Sequence, residues 1–157
     1  MIDTQCLREM FSEDLNDDEL QVLAEIVTIR QLADDEVLIR EGEVDHSLHG
    51  VISGALGVEK MTGGNDKLTL HVLRRCDLAG GMGFVDGMPH TATLRAIGPT
   101  QIMTLERERM ESFVVSHPIL VYHIMRTIIR KVHHILRSMN FQYMELTNYI
   151  THQHGRY

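Results

Sequence analysis

The residues best placed to do chemistry lie in one short stretch: Gly80, Gly81 and Gly83 gather around Met82, and His90, Thr91 and Ala92 follow seven residues on. Glycines let backbone N–H groups approach an anion closely, a hydroxyl adds a donor, and an imidazole adds charge when protonated. The stretch reads as a place to hold a small anion. Other pairings are weaker. Cys76 with His90 and Ser116 with His117 could be drawn as nucleophile and base, but no nucleophile elbow, paired-carboxylate motif, phosphate-binding lysine loop or zinc spacing accompanies them. Ten histidines give the pairs His46 with His49, His123 with His133 and His134, and His152 with His154, none with a metal-ligand signature. The expectation is a non-catalytic domain with no metal site, and Cys76 is read as a turn residue.

Several elements must position that stretch. Before it, Leu20, Leu23, Ala24 and Val27 share a helical face, with Asn16 or Asp17 available as N-cap, so one short helix is expected within a helical start over 1–26. The apolar period then falls to two, at Val37 with Ile39, Leu68 with Leu70 and Val72, and Ala92 with Leu94 and Ala96. Turn signals at Gly42, Gly54, Gly63-Gly64, Gly87 and Gly98-Pro99 divide residues 26–106 into seven or eight short strands, which suits a sandwich or barrel. A short helix is expected over 107–116 and a long one over 119–150, free of Pro and Gly after Pro118 and roughly 48 Å long at 1.5 Å per residue. Val121, Met125, Ile128, Val132, Ile135 and Met139 step by four and three along it, the spacing of a coiled-coil seam. Tyr143, Leu146 and Ile150 continue the seam after a one-residue slip, and Leu120, Ile124, Ile129 and Leu136 form a second row that could face the β part. Two apolar faces on one helix need two partners, and the reading is a homodimer.

The whole of 1–157 is read as a single domain. Its charge is uneven: residues 1–45 carry 14 acidic and 3 basic side chains, a balance of −11, against +4 for the remainder and −7 overall. The broad basic footprint of nucleic-acid binding is missing, so this chain alone is not expected to bind DNA or RNA. Arg126, Arg130, Lys131 and Arg137 form a basic stripe that could complement the acidic start or meet a protein partner. No apolar run reaches the ~20 residues of a membrane span, and the first residues lack the pattern of a secretory signal. With two cysteines and no paired spacing, a cytoplasmic location is expected.

The glycine-rich stretch resembles the phosphate-binding cassette of the cyclic nucleotide-binding domains in the catabolite activator protein (CRP/FNR-like) family. That cassette reads approximately G-D-x-x-G-E-[LM]-[AG]-[LF], then P-R-[ST]-A-[TS]-[VL]-x-A after a few residues. Asp77, Gly80, Met82, Gly83, Phe84, Pro89, Thr91, Ala92, Thr93, Leu94 and Ala96 agree with it. Arg40-Glu41-Gly42, the segment 48–54 and His117-Pro118 extend the likeness over about residues 7–140. The resemblance implies a mainly β fold with flanking helices: an eight-stranded, jelly-roll-like β-roll (a double-stranded β-helix) followed by a long C-terminal dimerisation helix. It also implies a regulatory effector domain in signal transduction, with a cyclic nucleotide (cAMP or cGMP) or another small anion as ligand. Gly80, Gly81, Met82, Gly83, His90, Thr91 and Ala92 would be the contacts.

Two departures stand out. The family's Glu, which accepts from the ribose 2′-hydroxyl, is Gly81 here, and its phosphate-binding Arg is His90. At about 1.5–3 kcal/mol for each charged hydrogen bond, both losses together cost roughly two to four decades of affinity. Weakened or altered nucleotide binding is expected, with a ligand-free dimeric interaction module as the alternative. Regulators of this kind continue into a helix-turn-helix domain, which the sequence ending at Tyr157 does not contain; the expectation is a stand-alone sensor or adaptor, or a piece whose output domain lies elsewhere.

Overall fold

The computed structural model describes residues 2–11 and 14–154. Two helices, α1 (Thr4–Phe11) and α2 (Asp17–Ile26), open the chain where one was expected. The break has a local cause. Asn16 caps α2 in a reciprocal box, its side chain accepting from the Glu19 N–H at 2.9 Å while Glu19 accepts from the Asn16 N–H.

Six strands follow as one antiparallel sheet: β1 (Thr28–Leu32), β2 (Val37–Ile39), β3 (Ser47–Met61), β4 (Lys67–Leu73), β5 (Leu78–Ala79) and β6 (Thr93–Glu106). The path runs β1-β6-β3-β4, with β2 on β6 and β5 on β3. β3 and β6 pair along most of their length and bend together at Gly54 (φ +81°) and Gly98 (φ +70°). A Cβ at Gly54 would lie 2.5 Å from the Pro99 carbonyl, so only glycine fits the bend. The Thr100 hydroxyl ties it by donating to the Ala55 and Gly98 carbonyls. Counting each long strand as two segments gives the eight of a β-roll.

Strand alternation separates two cores. Leu48, Met103 and Leu105 face α1, α2 and the C-terminal helix, where they meet Leu7, Phe11, Leu20, Leu23, Leu120 and Ile124. Val51 and Ile102, on the opposite face, meet Leu32, Leu56 and Ala96 inside the roll. The expected row on β4 is different. Leu68 and Leu70 are more than half exposed, because β4 pairs with β3 alone and nothing lies over it among the described residues.

Between β5 and β6 runs α3 (Gly81–Asp86), and after β6 come α4 (Arg107–Glu111) and α5 (Pro118–His154). The short helix ends earlier than expected, with residues 112–116 in turns, and the long one is 37 residues with Pro118 at its first position. No helix of the described residues is long and apolar enough to cross a membrane.

The seam expected on α5 needs correction over its first half. Ile128 is buried in the chain's own core, and Val121 and Met125 pack partly against it, whereas Val132, Ile135 and Met139 are exposed. Leu120 and Ile124 of the second row are buried as expected, but Ile129 and Leu136 are exposed. An α-helix advances 3.6 residues per turn, so a 3.5-residue stripe drifts round it and the row that starts on the body ends facing away. The exposed stripe is Ile129, Val132, Leu136, Met139, Tyr143, Leu146 and Ile150, in steps of three and four without a slip.

Candidate functional site

The cassette is built on close backbone approach. β5 is followed by Gly80, which caps α3 in a left-handed conformation (φ +85°), and a Cβ there would lie 2.8 Å from the Ser47 carbonyl. A Cβ at Gly83 would sit well inside the Asp45 carbonyl oxygen. Both glycines are therefore demanded by the segment 45–47 running across α3. Gly81 differs, because its Cβ would meet only Ile128 Cγ2 of α5, at an ordinary 3.5 Å. Phe84, fully buried, anchors the helix from beneath, while Met82 faces solvent.

The second half of the cassette is pinned to the Arg40-Glu41-Gly42 turn. Gly42 N–H donates to the His90 carbonyl and His90 N–H to the Glu43 carbonyl, both at 2.8 Å; Glu41 N–H donates to the Thr93 hydroxyl at 3.0 Å. Thr91 is exposed and Ala92 buried. These bonds bring His90 over α3. Its Cε1 lies 3.6 Å from the Cβ position of Gly80, and its Nε2 lies 3.4 Å from that of Gly83. The imidazole thus covers the inner glycines, and its Nε2 is buried without a hydrogen-bond partner among the described residues.

Charge around His90 comes from residues that the sequence reading did not group with it. His49 Nε2 meets Asp45 Oδ2 at 2.6 Å and His49 Nδ1 meets the Thr104 hydroxyl at 3.0 Å. Burial works to raise the Asp45 carboxyl, but hydrogen bonds from His49 and Ser47 outweigh it and hold the carboxyl below its ordinary value. Burial lowers the His90 imidazole below its usual value, and His49 adds to this while Asp45 and Glu43 oppose it. At neutral pH His90 therefore does not supply the charge that an Arg would. A cavity of about 410 Å³ opens beside this cluster inside the roll, with Thr28, Arg30, Asp45, His49 and Thr104 among its walls.

The structure brings Gly80, Gly81, Gly83 and His90 together and puts Met82 and Thr91 on the outside. Several of the paired histidines have other partners. His49 is taken by Asp45 and His123 by Glu19 at 3.0 Å, and His46 stands by Gly87. No group of three metal-binding side chains occurs among the described residues, and the His154 side chain lies outside them. The only advance signal for the His90 environment was the proximity of Asp45, His46 and His49 in sequence.

With this geometry in view, the comparison with known families is decisive: the cyclic nucleotide-binding domain family matches residues 29–117. The chain belongs to that family. A cyclic nucleotide-binding domain from Methylobacillus flagellatus KT is similar at 19% identity and a TM-score of 0.83, over 90% of this chain and 83% of that one. The Thermus thermophilus catabolite activator protein is similar at 20% identity and a TM-score of 0.71, over 88% of this chain and 63% of that one. The regulatory domain of Toxoplasma gondii PKA, solved with cAMP, shares 22% identity and a TM-score of 0.62 over 69% of this chain and 42% of that one. No curated protein sequence matches the chain. These likenesses establish the fold, a CRP-like β-roll.

Proposed function

We propose that this cyclic nucleotide-binding domain is a non-catalytic sensor whose cassette binds its ligand weakly and signals through α5. The ligand is a cyclic nucleotide (cAMP or cGMP) or another small anion. The carrying observation is how close Gly81 lies to α5: a Cβ at this position, where the family's ribose-binding Glu is missing, would stand 3.5 Å from Ile128 Cγ2. A ligand entering there meets the helix directly. His90 adds an imidazole with a buried, unbonded Nε2, which an anion could engage once the ring is protonated.

Two copies would pair through the exposed stripe of α5. Ile129, Val132, Leu136, Met139, Tyr143, Leu146 and Ile150 keep the alternate three-and-four spacing of a helix seam over residues 129–150. The flanking positions His133, Ile135, Asn140, Gln142, Thr147 and Tyr149 carry no Lys, Arg, Asp or Glu, so no like-charge pair opposes association of identical helices.

The second reading is a ligand-free dimeric interaction module, favoured by the His90 ring lying over Gly80 and Gly83 where a phosphate would approach. Titration of cyclic nucleotides into the wild type and a Gly81→Glu, His90→Arg double variant separates the two. Weak binding that the double variant strengthens supports the sensor. A wild type that binds neither nucleotide nor inorganic phosphate supports the module.

A further inference from the structure

One turn of α5 is held on two sides. On one side is Asp14, in the connection between α1 and α2, whose side chain is only 4% exposed. Arg130 Nη1 donates to its two oxygens at 2.8 and 2.9 Å, the Thr127 hydroxyl donates at 3.1 Å, and Arg126 Nε stands 3.7 Å away. Thr127 is itself buried and also reaches the Phe11 carbonyl at 3.3 Å. On the other side, Ile128 is buried and faces Gly81 of the cassette. Adjacent residues of a helix point about 100° apart, so Thr127 and Ile128 share a backbone but face different neighbours.

The carboxylate gives this turn its place. A carboxylate so deeply buried is tolerated only while its partners stay in reach, and among the described residues the cations on it belong to α5. Because Thr127, Ile128 and Arg130 share one rigid turn, a shift that lifts Ile128 from Gly81 carries Thr127 and Arg130 with it and disturbs their bonds to Asp14. The hydrophobic contact at Ile128 has no such directionality and would tolerate sliding.

We propose that Asp14 is a positioning residue that seats α5 on the cassette, so that the N-terminal segment sets how closely Ile128 covers Gly81. The seating stands on the geometry alone. Its regulatory meaning rests on the sensor reading above.

Hydrogen–deuterium exchange on the full chain tests it, comparing wild type, Asp14→Asn, Asp14→Glu and Arg130→Gln. Positioning predicts that Asp14→Asn speeds exchange about tenfold or more in peptides covering residues 81–87 and 120–131, while roll peptides covering 48–57 and 94–105 keep wild-type rates. Asp14→Glu should restore part of the protection. If exchange rises equally across the roll, Asp14 is a staple of the whole fold and the proposal fails; unchanged exchange at 120–131 also overturns it. Should Asp14→Asn not fold, Arg130→Gln leaves Thr127 and Arg126 on the carboxylate and is judged by the same peptides. Titration of cAMP into the same variants is a separate arm. An affinity unchanged by Asp14→Asn, alongside localised exchange, would leave the seating intact and count against the sensor reading.

Discussion

Replacing Gly80 and Gly81 one at a time by alanine separates glycines kept for architecture from those open to change. At Gly80 the new Cβ meets the Ser47 carbonyl at 2.8 Å, closer than side chains tolerate, and the left-handed backbone (φ +85°) disfavours any residue with a Cβ. The conformational part costs roughly 1–2 kcal/mol and the overpacking roughly 1–3 kcal/mol, so Gly80→Ala should lose about 2–5 kcal/mol. At Gly81 the Cβ meets Ile128 at 3.5 Å, an ordinary contact in a helical residue. Alanine there should be neutral or stabilise by roughly 0.4–1 kcal/mol, mainly by stiffening the unfolded chain. Urea denaturation reads the difference: with a slope of about 2–3 kcal/mol per molar, the two midpoints should stand roughly 0.7–3 M apart, Gly81→Ala the higher. Coincident midpoints would refute the reasoning. The functional weight is that Gly80 is explained by segment 45–47 and is no evidence for a ligand, whereas Gly81 could have been a Glu as far as its Cβ is concerned.

Two more outcomes follow from the same geometry. The His90 imidazole should titrate below the ordinary histidine value near 6.5 by NMR. Because folding lowers its affinity for protons, its contribution to stability is complete above the unfolded value and declines as pH falls through that value towards the folded one; His90→Gln should remove this slope below about pH 6.5. A midpoint above 6.5 would contradict the burial argument. On α5, Leu136→Asp should abolish the dimer in sedimentation while leaving the fold intact, whereas Ile128→Ala should cost about 2–5 kcal/mol of stability at any protein concentration. A dimer that survives Leu136→Asp would move the interface off the exposed stripe.

The parts of this structure that were legible in the sequence are those in which neighbours along the chain decide the conformation. The cassette shows as Gly80, Gly81 and Gly83 followed by Pro89-His90-Thr91-Ala92, and α5 shows because no Pro or Gly interrupts it after Pro118. The bends at Gly54 and Gly98 were visible as turn signals but read as strand ends, because continuity of β3 and β6 through a bend depends on their pairing with each other. Alternation placed Leu68 and Leu70 on one strand, β4, but could not show that both side chains stay more than half exposed. The environment of His90 was hidden for the same reason: Glu43, Asp45 and His49 reach it only after β-roll closure. On α5 two stripes share Val132 and Met139, and only contact with the body shows that Ile128 belongs to the core and Ile129 to the exposed row.

The most direct test of the central claim, a cyclic nucleotide-binding roll weakened at two positions, is calorimetric titration of cAMP and cGMP. It is made at about pH 6 and about pH 7.5, either side of the ordinary histidine value, in the wild type and the Gly81→Glu, His90→Arg double variant. The account predicts wild-type binding that is stronger at the lower pH, and double-variant binding roughly two to four decades tighter with little dependence on pH. Wild-type affinity equal to that of the double variant, or a folded double variant that binds neither nucleotide, would contradict it.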